Sequence, residues 1–135
     1  MNKATKSIAD YNAIYGTTFS VINPIFSLNH IAGEKILESL DSYPETGGVF
    51  LFYDRNRDLL AVYSAKKLGE GLRSHLKGER EDTDNWVVKG KWISDPAYVM
   101  FVIGNQDKLY EKDSLRSYLI KELNPRYDEH GKLVR

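Results

Sequence analysis

The sequence predicts an α+β fold, an α/β sandwich in which helices pack on a small, three-stranded, mostly antiparallel sheet. Three observations carry this. Two apolar, aromatic-rich runs, Val49 to Tyr53 and Leu59 to Tyr63, flank the polar stretch "DRNRD", which is the pattern of a β-hairpin. A third run, "AYVMFVIG" at 97–104, is continuously apolar and reads as a buried central strand. Leu115, Leu119 and Leu123 recur at a spacing of four, the stripe of a helix that lies on such a sheet.

The elements follow in order. "SIADYNAIYG" puts Ile8, Tyr11, Ile14 and Tyr15 at helical spacing, with Gly16 placed to end the helix. "TTFSVINPIF" is rich in β-branched and aromatic residues but is interrupted by Pro24, so it reads as a short extended piece or a connector. In 28–44, Leu28, Ile31, Ile36, Leu37 and Leu40 form an imperfect helical stripe that ends before Pro44. After the hairpin a helix is expected from about Lys66 to Lys77, with Leu68, Leu72 and Leu76 on one face and Gly78 at its end. "WVVKGKW" reads as a short strand or hairpin fragment. Asp107 or Asp113 is expected to N-cap the last helix, which runs to about Leu123 and is stopped by Pro125. The remaining "RYDEHGKLVR" is polar.

The 135 residues fit one domain with a hydrophobic core of its own. Lysine plus arginine equal aspartate plus glutamate at 19 each, so no net field draws the molecule toward nucleic acid or an anionic membrane. The absence of cysteine excludes disulfides and thiolate metal sites and agrees with a reducing compartment. No apolar run has the length of about 18 residues that spans a bilayer, and the first residues lack a signal-peptide core. We expect a cytoplasmic protein with no membrane partner.

The order of "YPETGGVFLFYD", "LAVYSAKKLGEGLRSHL" and "SLRSYLIKELNPRYD" resembles the GIY-YIG nuclease domain, over about Glu34 to Tyr127. That domain occurs in the incision subunit of nucleotide-excision repair, in phage homing endonucleases and in some restriction enzymes. The resemblance implies a central three-stranded antiparallel sheet flanked by helices. It also divides the chain into an N-terminal extension, 1–33, a GIY-YIG-like core, 34–127, and a polar tail, 128–135.

The resemblance further implies two tyrosines that help activate water, a helical arginine for the phosphate and a glutamate for one divalent metal. Hydrolysis of a phosphodiester uses such a division of labour. This sequence departs from the pattern at each position. Phe50 stands in the first tyrosine slot, Ala61 in the second, Gly71 in the arginine slot and Arg116 in the glutamate slot. Tyr63 falls in a glycine slot, and a one-residue gap after it would bring it nearer the second tyrosine position. His75 stands where the family often has a histidine or tyrosine. Arg73 lies about 200° around the helix from Gly71, and Glu122 about 120° around from Arg116, so neither replaces its neighbour. A fixed cation at Arg116 repels a divalent metal. We therefore expect no catalysis, no cofactor and no metal.

Tyr63 and His75 are then remnants. His75 reads as a packed histidine at a core edge, with proton transfer as the alternative. Lys66, Lys67, Arg73 and Lys77 read as a solvated helix face or as a phosphate-contacting patch. Trp86 and Trp92 serve packing, base stacking or a protein partner. The acidic run containing Glu79, Glu81, Asp82 and Asp84 reads as an exposed loop or as a mimic of phosphates. Gly47-Gly48 has a backbone role in either case.

Three functions fit this pattern. The first is an inactive GIY-YIG-like domain that inhibits a protein partner, most concretely an immunity protein against a toxin or effector such as a DNA-targeting nuclease. Its binding candidates are Trp86, Trp92, Glu79, Glu81, Asp82, Asp84, Lys66, Arg73 and Arg116. The second is a non-catalytic nucleic-acid-binding module. The third is an active endonuclease with a rearranged site built on Tyr63, His75 and Glu122 or another carboxylate.

Overall fold

In the computed structural model, the described residues are 2–22, 25–27, 46–68, 76–78, 86–88, 96–130 and 132–134, of which 76–78 and 86–88 are described by their backbone. The order is α1 (Asn2–Tyr15), β1 (Ser20–Val21), β2 (Phe26–Ser27), β3 (Gly48–Tyr53), β4 (Leu59–Ala65), β5 (Leu76–Gly78), β6 (Trp86–Val88), β7 (Tyr98–Ile103) and α2 (Glu111–Leu123). The main sheet is antiparallel. Its long strands run β7-β3-β4, and the two-residue strands β1 and β2 both pair with the far side of β7. The expected three-stranded centre is present, and the interrupted stretch around Pro24 adds two short pieces to it.

Period-2 alternation divides the core between the two sheet faces. One face carries Phe50, Phe52, Ala61 and Phe101, with Leu68 and Tyr127 over them. The other carries Val49, Leu51, Tyr53, Val62, Met100 and Val102, covered by Ala4, Ile8 and Tyr11 of α1 and Leu115 and Leu119 of α2. All six residues of β3 are buried, which is why its sequence reads as a continuous apolar run rather than an alternating one. Gly48 belongs to this close packing, since a Cβ there would collide with the carbonyl oxygen of Val102 on β7.

Each helix ends as its sequence dictates. Gly16 adopts φ +66° and its N–H donates to the Asn12 carbonyl at 2.9 Å. Asn124, just before Pro125, is left-handed at φ 50° and its N–H donates to the Ile120 carbonyl. Ile14 and Tyr15 depart from the expected buried stripe. They are 63% and 60% exposed, because Ala4, Ile8 and Tyr11 form the face that meets α2 and the sheet.

Two expectations are corrected. Neither Asp107 nor Asp113 caps α2, whose N-cap is Tyr110 without a side-chain bond. Asn105 instead accepts from the Asp107 N–H to start a short 3-10 turn, Gln106–Lys108, which leads the chain into the helix. The expected helix does not reach Lys77, because Leu76–Gly78 is strand β5, paired antiparallel with Trp86–Val88. The leucine stripe rested on a segment with glycines at 69 and 71, each costing about 1 kcal/mol of helix propensity, whereas "WVV" is β-branched and aromatic and supplies a strand to pair with. Leu72 and the stripe over 28–44 lie outside the described residues.

The last residues return to the sheet. The N–H groups of Arg126 and Tyr127 donate to the carbonyls of Leu59 and Leu60, and Tyr127 bridges Leu133. The Asp128 carboxylate accepts from the N–H groups of His130 and Lys132, closing the turn between them.

Candidate functional site

The β3–β4 pairing brings two of the singled-out positions together. Phe50 and Tyr63 are direct cross-strand partners with ring centroids 5.8 Å apart. Phe50 has no exposed surface and packs edge-on to Phe52. Ala61, two residues from Tyr63, lies on the same buried face. Phe50, expected in the first tyrosine slot, is thus a phenyl ring sealed in an aromatic cluster, and Ala61, expected in the second, offers a methyl group on the same face.

Arg116 reaches this cluster from α2. Its guanidinium carbon sits 5.8 Å from the centroid of the Tyr63 ring. Its Nε donates to the Val62 carbonyl and its Nη2 to the Glu129 carbonyl, both at 2.8 Å. The cation therefore joins the middle of β4, a tyrosine face and the returning chain end. Burial pushes the Tyr63 phenol up, with Arg116 pulling partly against it. The hydroxyl stays protonated at neutral pH, which does not suit it to act as a base there.

Beside it lies a polar chain that sequence reasoning missed. The Ser64 hydroxyl donates to Asp113 Oδ1 at 2.7 Å, and Lys112 Nζ approaches Oδ2 at 3.1 Å. Lys112 is only 9% exposed. The Ser64 bond, more than Lys112 or Arg116, holds the Asp113 carboxyl below the ordinary carboxylate range. A carboxylate held ionised in this way is a weak general base near neutrality. The signal available in the sequence was Asp113 itself, which the capping argument had placed at the wrong task.

Elsewhere, Lys66 is exposed just beyond β4, and Glu122 is exposed on α2. Trp86 opens β6. Gly71, Arg73, His75, Glu79, Glu81, Asp82, Asp84 and Trp92 lie outside the described residues. Among the described residues, no three His, Cys, Asp or Glu side chains converge as a metal-binding group. Among the same residues, no helix is long and apolar enough to cross a membrane. An open groove of about 630 Å³ runs between α1 and α2, lined by Tyr11, Tyr15, Tyr118 and Lys121 among others.

Fold and site together define an α+β domain with a three-strand antiparallel centre and a polar cluster where its edge strand meets the last helix. The chain is similar to UvrABC system protein C of Wolinella succinogenes, 26% identical over 98 residues, and to UvrABC system protein C of Helicobacter pylori strain P12, 30% identical over 99 residues. These matches cover 70% and 69% of this chain but 16% of each relative. They are consistent with a GIY-YIG-like domain. No protein-family model matches the chain.

Proposed function

We propose that the chain is a GIY-YIG-like domain that binds without hydrolysing, and that its partner is a protein. The observation that carries this reading is Arg116. It stands where the resemblance implies a metal carboxylate, and its guanidinium is committed to two backbone carbonyls and a tyrosine face. The most concrete form is a cytoplasmic immunity protein that neutralises a toxin by covering its active site over an interface of about 800 Å² per partner. Balanced charge supports a protein over a polyanion. The tyrosine-lined groove adds support, since tyrosine carries much of the binding energy in protein interfaces. Trp86, Trp92 and the acidic positions Glu79, Glu81, Asp82 and Asp84 are its candidate anchors. In this reading 34–127 is the frame, extended at both ends by 1–33 and 128–135. The test is a plasmid-nicking assay in magnesium and manganese, alongside titration with the product of the adjacent gene. No nicking and a 1:1 complex are expected. Metal-dependent nicking would replace this reading with an active endonuclease.

The similarity to UvrABC system protein C favours a second reading, a non-catalytic nucleic-acid module that uses Lys66 and Arg73 on phosphates. It requires affinity that falls with salt at a log–log slope of about −0.9 for each phosphate neutralised.

A further inference from the structure

Helices α1 and α2 lie antiparallel. Lys3 and Ala4 share a cavity wall with Leu123, while Tyr11 meets Ser114 and Tyr118. Among the described residues, the most exposed large apolar side chains are Tyr110, Ile14 and Tyr15. All three fall at one end of the pair, where α1 finishes and α2 begins. Tyr15 carries this apolar end into the groove of about 630 Å³, whose other rings are Tyr11 and Tyr118. Apolar side chains gathered on an exposed surface mark a contact site.

The charges of the groove select its occupant. Asp113, Ser117 and Lys121 line it at a spacing of four along the outer face of α2. The Asp113 side chain is 65% exposed, and its bond from Ser64 keeps it ionised. Lys121 is exposed and, among the described residues, belongs to no ion pair. On α1, Lys6 and Asp10 bond one another at 3.4 Å. The lining thus holds one anion and one cation, with no net charge to select a partner of either sign. Ser117 stands midway between them, about 6 Å along the helix from each. A two-fold axis through Ser117 lays Asp113 beside Lys121 of a second copy, and Lys121 beside that copy's Asp113. The stripe is complementary to itself, which is what an isologous dimer requires. At the axis, the small serine lets the two helix axes approach to about 8–10 Å.

We propose that the chain forms a symmetric dimer through this face, α2 against α2 of a second copy about an axis at Ser117. The groove tyrosines supply the apolar area. The two Asp113–Lys121 pairs set the register, since exposed ion pairs contribute little affinity. Each α2 is only about 20 Å long, so the contact is small and its Kd is about 10–100 µM. This inference goes beyond the proposed inhibitory function and does not rest on it, because the candidate anchors of that function lie at 79–92.

The experiment is sedimentation velocity of the full chain from about 5 to about 500 µM, which brackets that Kd, with backbone amide shifts followed on dilution. A monomer–dimer shift is expected, with amide changes confined to 11–15 and 110–121. Lys121→Glu, at an exposed position, sets acid against acid twice and weakens the dimer at least tenfold. Asp113→Lys sets base against base and does the same. The two variants, mixed, recover both ion pairs and associate with each other as the parent does. Should Asp113→Lys fail to fold, Lys121→Glu alone decides. A monomer at every concentration, parental dimerisation of Lys121→Glu, folded variants that do not associate on mixing, or dilution shifts at 126–134 instead overturns the proposal. A monomer whose groove amides move only when the product of the adjacent gene is added overturns it too, and gives the face to that partner.

Discussion

Arg116 Nε and the Val62 carbonyl, 2.8 Å apart, join helix α2 to strand β4 across 54 positions of sequence. The same guanidinium holds the Glu129 carbonyl. Replacing it with methionine keeps the aliphatic stem but leaves two carbonyls without their charged donor. We expect Arg116→Met to lower stability by about 2 kcal/mol, read from urea denaturation. Faster amide exchange at 126–134 would show that the chain end has come loose.

The sealed ring of Phe50 sets a second expectation. Phe50→Tyr restores the hydroxyl that the family resemblance implies, but places it where the side chain has no exposed surface. The variant should lose about 1–3 kcal/mol and gain no plasmid nicking, alone or combined with Arg116→Glu. Nicking by the double variant would mean that the frame retains more chemistry than Ala61 and the sealed ring indicate.

Gly48 gives a sharper test of packing. A methyl group there meets the Val102 carbonyl, which is backbone and cannot swing aside. Gly48→Ala should cost about 3 kcal/mol by forcing β3 and β7 apart. Denaturant midpoints measure this, and loss of amide protection on β7 should accompany it.

The Ser64–Asp113 bond makes a prediction about acid. The folded value of Asp113 is lowered, first by the Ser64 hydroxyl. Its contribution is fully present above the ordinary aspartate value of about 3.9 and is lost as pH falls through the lowered one. Ser64→Ala should therefore raise the Asp113 midpoint in a carboxyl NMR titration. The stability gap between parent and variant should narrow only below about pH 4.

Much of the frame was legible because its signals are local. Val49–Tyr53 and Leu59–Tyr63 around a polar turn, and 97–104 as an apolar run, can each be read without knowing the rest of the chain. Leu115 and Leu119 declared their face by spacing alone. The errors arose where a distant partner decides. Leu76 looked helical until Trp86–Val88 supplied a strand, and Asp113 looked like a cap until Ser64, 49 residues away, took its carboxylate. The role of Arg116 depends on residue 129 folding back, and the burial of Tyr53 depends on α1 packing on the same face of the sheet. Neither leaves a mark in a short window of sequence.

The returning chain end also governs how this molecule meets its own copies. Strand β4 closes the main sheet on one side, and the carbonyls of Leu59, Leu60 and Val62 are already taken by Arg126, Tyr127 and Arg116. An incoming strand finds no free row of acceptors there on which to set its register. Arg126 and Tyr127, with Arg116, thus act as a built-in stopper against self-templated growth. A chain cut before Arg126 would free the Leu59 and Leu60 carbonyls and should elute as larger species as its concentration rises.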